Sequence, residues 1–263
     1  MPTKGVITQV GIPSPVSGFT ATRDAYVYLP PAYLAKDRPL LPVLMLLHGQ
    51  PGSPSDWING GQIGAMMDAF AAKHHGLAPV VVVPDATGAE SANPMCLDST
   101  LGSSESYLTK DVPNWIRENL QVDEQTQHWA VAGFSYGGTC SLQLALRRPD
   151  LFPTFIDMSG QREPTLGTRA ETVDAAFDGD DERFREVNPL DELSTKTFPD
   201  TAGRLIVGTD DSDYLPELRD VYAACLQYGL NVRWQELPGG HEFQVWAGGL
   251  QGSLEWLAAR TGL

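Results

Sequence analysis

Basic side chains are scarce in this sequence: 18 lysines and arginines stand against 33 aspartates and glutamates, a formal net charge of −15 at pH 7. Phosphate backbones and anionic lipid surfaces repel such a chain, which disfavours nucleic acid and charged membranes as partners. Long apolar runs are missing too. The longest, Leu40–Leu47 and Ala78–Val83, fall far short of the ~20 residues that a membrane span requires. The opening Met1-Pro2-Thr3-Lys4-Gly5 has neither the apolar core nor the small-residue cleavage site of a signal peptide. Cysteine is limited to Cys96, Cys140 and Cys225, without the close spacing of a zinc site. These allow one disulfide and one free thiol, or three buried thiols, and they leave the cellular compartment open.

No internal repeat, low-complexity tract or linker divides the 263 residues, which read as one domain. Strands are expected at Val6–Val10, Ala25–Leu29, Val43–Leu47, Pro79–Val83, Trp129–Gly133, Phe155–Met158, Leu205–Gly208 and Val232–Leu237. From the third onward most are short continuous apolar runs, the pattern of strands buried on both faces of a parallel sheet. Helical periodicity falls at about Ile63–His74, Ser106–Asn119, Thr139–Arg147, Tyr214–Tyr228 and Phe243–Arg260. In the fourth of these, Cys225 repeats with Leu218, Tyr222 and Leu226 and belongs to the core face. The alternation predicts an α/β fold: a mostly parallel sheet of about eight strands with helices on both faces. Residues Gly160–Gly203 break it, being polar and rich in proline, glycine and aspartate, with weak helices around Ala170–Phe177 and Glu182–Val187. An insertion of this length either walls a substrate or packs as a helical excursion on the sheet edge.

One strand leads directly into chemistry. Trp129–Gly133 runs into Gly133-Phe134-Ser135-Tyr136-Gly137, a G-x-S-x-G sequence, and a helix follows. A serine on a tight strand-to-helix turn needs small neighbours, and the turn thrusts its hydroxyl out above the helix N-terminus. That hydroxyl needs a base. His74 and His75 end a helix and His128 precedes a strand, whereas His48 ends the third strand and His241 follows the last on a loop loosened by Gly239 and Gly240. His241 is therefore the expected base. An acid must support the imidazolium, and Asp210, Asp211 and Asp213 follow the penultimate strand. Asp213, just before Tyr214, is placed to cap the next helix. The order serine, aspartate, histidine is that of α/β-hydrolases. Negative charge on a tetrahedral intermediate calls for backbone donors, expected from Tyr136 and from Gln50 in the loop His48-Gly49-Gln50-Pro51-Gly52, since Pro51 has no N–H.

These motifs, in this order, resemble the esterase D family of α/β-hydrolases, which includes S-formylglutathione hydrolases, feruloyl esterases and actinobacterial mycolyltransferases. The resemblance covers roughly Ala25 to Leu257. It also takes in Tyr28-Leu29-Pro30, Leu46-Leu47-His48-Gly49, the Tyr107–Trp115 segment, Met158-Ser159-Gly160, Gly208-Thr209-Asp210-Asp211 and Gly239–Trp246. It implies a serine esterase that works through an acyl-enzyme, with no metal and no organic cofactor. The interval from Asp211 to His241 matches the one that the resemblance to feruloyl esterases implies, which selects Asp211, with Asp210 next. Two departures count against trehalose mycolyl transfer: His48 and Pro51 stand where those transferases carry acidic and basic sugar-binding residues, and Phe243 replaces their tryptophan. Expected substrates are small-molecule, lipid or carbohydrate esters, in a pocket drawn from Trp57, the loop Met95–Asp98, the 160–203 insertion and Phe243. An acyltransferase, or a non-catalytic binding domain on the same fold, is the alternative. Oligomeric state is not readable.

Overall fold

The computed structural model describes residues 2–19 and 23–263, so Met1 of the opening pentapeptide lies outside the described residues. In chain order the strands are β1 Val6–Val10, β2 Ala25–Leu29, β3 Val43–Leu47, β4 Val80–Val83, β5 Asp98–Ser99, β6 Gly102–Ser103, β7 Trp129–Phe134, β8 Thr154–Met158, β9 Ala202–Gly208 and β10 Asn231–Leu237. The helices are α1 Ser55–Asn59, α2 Ile63–Lys73, α3 Ser104–Ser106, α4 Val112–Asn119, α5 Tyr136–Arg147, α6 Arg169–Phe177, α7 Asp181–Arg185, α8 Pro189–Thr195, α9 Tyr214–Gln227 and α10 Phe243–Thr261. Eight strands form one sheet in the order β1-β2-β4-β3-β7-β8-β9-β10, while β5 and β6 pair apart from it as a two-residue ribbon. β2 runs antiparallel to both of its neighbours; every other pair in the large sheet is parallel.

Both faces of the sheet are covered, which is why its central strands are apolar throughout. Val43, Met45 and Leu47 of β3 point into one core with residues of α4, α5 and α9. Leu44 and Leu46 point into the other, with α2 and α10. β8 and β9 begin earlier than their apolar runs suggest, because Thr154 pairs with both Ala130 and Ala202 and extends the ladder through small or polar residues. α4 carries Pro113 near its start, directly after the π-helical turn Tyr107–Asp111 that runs into it. Among the described residues no helix is long and apolar enough to cross a membrane.

The insertion forms three short helices, one more than its periodicity suggests. α6 and α7 close over the Met95–Asp98 loop in a small separate core of Met95, Leu97, Val173, Ala176, Phe177 and Phe184. α8 contributes Leu193 to the core beside α5. Its start signal, Asn188-Pro189 followed by Asp191 and Glu192 in the first turn, was available in the sequence.

Candidate active site

Ser135 sits between β7 and α5 with φ 54° and ψ −123°, a conformation that disfavours any residue bearing a Cβ. Its surroundings hold it there. Ser135 N–H donates to the Met158 carbonyl at 2.8 Å, and its own carbonyl accepts from Gly138 at 2.9 Å and Thr139 at 3.1 Å. The glycines are a steric requirement: a Cβ on Gly133 would strike the Gly137 backbone, and one on Gly137 would lie 2.5 Å from the Leu47 carbonyl oxygen. α5 starts at Tyr136, three residues before its periodicity suggests, because Gly137 and Gly138 depress local helix propensity while the turn imposes the helix.

Two backbone bonds join the loops after β9 and β10: Thr209 N–H to the Leu237 carbonyl at 2.8 Å, and Asp210 N–H to the Gly239 carbonyl at 2.9 Å. They set Asp211 against His241. His241 Nδ1 lies 2.9 Å from Asp211 Oδ2, and Nε2 lies 2.9 Å from Ser135 Oγ. With its proton on Nδ1 the imidazole donates to the carboxylate and accepts from the serine hydroxyl. Asp211 is buried, whereas Asp210 and Asp213 are exposed. The cap expected from Asp213 is absent; Asp211 Oδ1 accepts the Tyr214 N–H at 3.2 Å instead. One carboxylate therefore faces both the helix and the imidazole. Three of the remaining histidines have partners elsewhere: His74 meets Glu255, His128 meets Asp123, and His48 meets the Gly49 carbonyl and Asp85.

Gln50 lies in a loop tied down from several sides. Arg23 grips buried Asp85 through Nε and Nη2, each at 2.8 Å, and donates from Nη1 to the Gly52 carbonyl at 2.9 Å. Burial alone would raise the Asp85 pKa, but Arg23, His48 and backbone N–H groups hold it well below the usual carboxylate range. Gly52 N–H also donates to the Glu90 carbonyl at 3.0 Å. Among the described residues, no backbone or side-chain acceptor takes the Gln50 or Tyr136 N–H. Asp85 had a signal in sequence, since it stands two residues after β4 at the strand end where such sites are built.

The expected pocket residues divide. Trp57 does not line a pocket. It is wholly buried and its indole N–H donates to the Leu47 carbonyl at 2.8 Å, so it supports β3 from beneath. Phe243 is half-buried against Phe134 and Trp246, one residue from the elbow serine. Met95 and Gln161 pack beside Tyr136 and Thr139 and leave no space between them large enough for a water molecule. Of the alternatives for cysteine, the structure takes the Cys96–Cys140 disulfide and leaves Cys225 buried and free. Cys96 N–H donates to the Tyr136 phenol oxygen at 2.9 Å, which places the disulfide beside the Ser135 turn.

Asp157 on β8 is a second buried carboxyl near the elbow. Its Oδ1 accepts the Gly160 N–H at 2.9 Å, and Oδ2 has no partner among the described residues. Burial pushes its pKa up to about 7, and burial together with Asp157 pushes the neighbouring Cys225 thiol up to about 12. In the unfolded chain Asp157 ionises near the ordinary aspartate value of about 4. The stability that the neutral carboxyl contributes is thus complete below about pH 4 and lost as pH rises through about 7. Asp157→Asn stays neutral throughout. Its melting temperature relative to wild type should climb by several degrees between pH 4 and pH 8, a few kcal/mol in free energy. A difference that stays constant across that range in thermal melts would refute the assignment.

The family model described as "Putative esterase" matches residues 18–257. An uncharacterized protein of Corynebacterium glutamicum is 42% identical over 253 residues, covering 94% of this chain; the chain spans 59% of that relative's length. Among solved structures, a ferulic acid esterase superposes with a TM-score of 0.81 at 20% identity, covering 98% of this chain and 99% of its own. An S-formylglutathione hydrolase from Agrobacterium tumefaciens gives 0.80 at 18% identity, over 100% and 98% of the two chains. MPT51 (FbpC1) of Mycobacterium tuberculosis gives 0.69 at 19% identity, over 97% and 99%. At such identities the likeness is one of fold, the α/β-hydrolase fold.

Proposed function

The chain belongs to this esterase family, and from that premise we propose that it is a serine carboxylic-ester hydrolase acting through Ser135, His241 and Asp211. The carrying observation is the unbroken row from Ser135 Oγ through both imidazole nitrogens to Asp211, on a strained turn whose strain has no other use.

Ser135 Oγ attacks the acyl carbon while His241 Nε2 takes its proton, and Asp211 Oδ2 supports the imidazolium. The oxyanion is received by the Gln50 and Tyr136 N–H groups, which have no other acceptor among the described residues. His241 returns its proton to the departing alcohol. It then takes one from water, whose oxygen attacks the acyl-enzyme, and gives that proton to Ser135 Oγ as the bond from Oγ to the acyl carbon breaks and the acid leaves. Every proton is moved by His241, and no step calls for a metal or organic cofactor. Phe243 borders the acyl or alcohol side of the site, and residues 160–203 are an insertion within one catalytic domain.

Hydrolysis is favoured over acyl transfer to a sugar by one observation. His48, where a transferase of the mycolyl type would present an acidic sugar ligand, is wholly buried on Asp85 and cannot meet an acceptor. The chain should hydrolyse p-nitrophenyl acetate and be labelled once by a fluorophosphonate. Its kcat/KM should rise with pH as the imidazole loses its proton, because only the neutral ring accepts the serine proton. Labelling without turnover in water, with product formed only when an alcohol is added, would reassign it as a transferase. A flat profile from pH 5 to 9 would remove His241 as the base.

A further inference from the structure

One residue outside the Ser135–His241–Asp211 row meets two of its members, Asp211 through its backbone and His241 through its ring. Tyr214 opens α9, and its N–H donates to Asp211 Oδ1, leaving Oδ2 for the imidazole. Its ring lies nearly parallel to the His241 ring, with centroids 4.0 Å apart and an interplanar angle of 19°. Burial raises the phenol pKa, so the ring that faces His241 is that of a neutral phenol at working pH.

The physical need for such a contact follows from the row itself. Nδ1 and Nε2 lie on opposite sides of the imidazole, so two hydrogen bonds leave the ring free to rock about the line joining them. The glycine loop before His241 offers little restraint, and the imidazole is about a third exposed, with 30% of its side chain accessible. Trp246 meets the ring at 85°, edge to face, which supports it but does not fix its plane. A parallel aromatic face does fix it. The same face presents its negative quadrupole to an imidazolium, and that attraction is largest when His241 carries the serine proton.

We propose that Tyr214 is a positioning residue of this enzyme: its ring fixes the plane of His241 and favours the protonated imidazole during acyl transfer. The role rests on the serine-esterase reading above. Sequence offered little signal for it, because an aromatic at the first position of an amphipathic helix reads as core.

The experiment compares wild type, Tyr214→Leu and Tyr214→Phe as full chains, using p-nitrophenyl acetate and a fluorophosphonate probe whose labelling stoichiometry counts folded sites. Tyr214→Leu should lower kcat per labelled site on the order of tenfold with KM little changed, and move the acid limb of kcat/KM about half a pH unit lower. Tyr214→Phe keeps the ring and should restore kcat to within about threefold, together with the wild-type limb. A Leu variant with wild-type kcat and profile overturns the proposal, even if its melting temperature falls. So does a Phe variant as impaired as Leu, since the phenol would then be the working group. Should Leu fail to fold, Tyr214→Gln takes its place under the same criteria. Wild type that neither turns over nor labels would instead remove the esterase reading, and this role with it.

Discussion

Ser135→Ala should abolish p-nitrophenyl acetate hydrolysis while leaving the chain folded. The elbow's strain is carried by backbone torsions and by the crowding of Gly133 and Gly137, none of which the hydroxyl supplies. Alanine keeps the Cβ and loses only Oγ, which lies 2.9 Å from His241 Nε2. Melting temperature should therefore stay near that of wild type. Activity should fall to what oxyanion donors and binding provide without a nucleophile, about 10³–10⁴ above the uncatalysed reaction. Fluorophosphonate adduct should vanish from the intact mass. Turnover near that of wild type would overturn the function proposed here, because no other hydroxyl meets His241 in a hydrogen bond among the described residues.

Asp211→Asn should be nearly as damaging, for a different reason. An asparagine can present its carbonyl to the Tyr214 N–H and its amide to His241, so helix contact survives and the imidazole contact reverses polarity. The amide donates to Nδ1, the ring proton moves to Nε2, and Nε2 can no longer accept from Ser135. A loss of roughly 10⁴ in kcat follows from the wrong tautomer alone. Asp210→Asn and Asp213→Asn alter exposed side chains that neither face His241 nor cap α9, and both should keep kcat and melting temperature close to wild type. Measured together, the three variants separate the candidates. If Asp211→Asn retained wild-type kcat, the acid would have to be sought elsewhere.

The sheet was legible because its central strands are buried on both faces. Val43–Leu47 has no polar residue to hide, and it ends where the apolar run ends. Ladder partners fixed what side-chain polarity could not, as at Thr154 and Ala202. Ser135 and His241 were legible because their chemistry demands unusual local sequence, glycine around the one and before the other. Trp57 was misread since an aromatic near a site motif looks the same whether it meets ligand or holds a strand; only the indole bond to Leu47 separates the two. The double role of Asp211 was hidden for a related reason. Capping positions are counted along the helix, but a carboxylate has two oxygens and can serve two neighbours at once. The place of Tyr214 depends on its meeting with His241 across the fold, and no local pattern records it.

The bond between Cys96 and Cys140 closes 44 residues of separation into a covalent ring that contains Ser135 itself. Exposed Leu101, at the tip of the β5–β6 ribbon, belongs to the same ring. A protease that cut the chain at this tip would not release either side. The two pieces would stay joined through the sulfurs, with the Ser135 turn still clasped between β7 and α5, until a reductant opened the second connection. This part of the molecule is thus held by two independent paths, one through the peptide backbone and one around it.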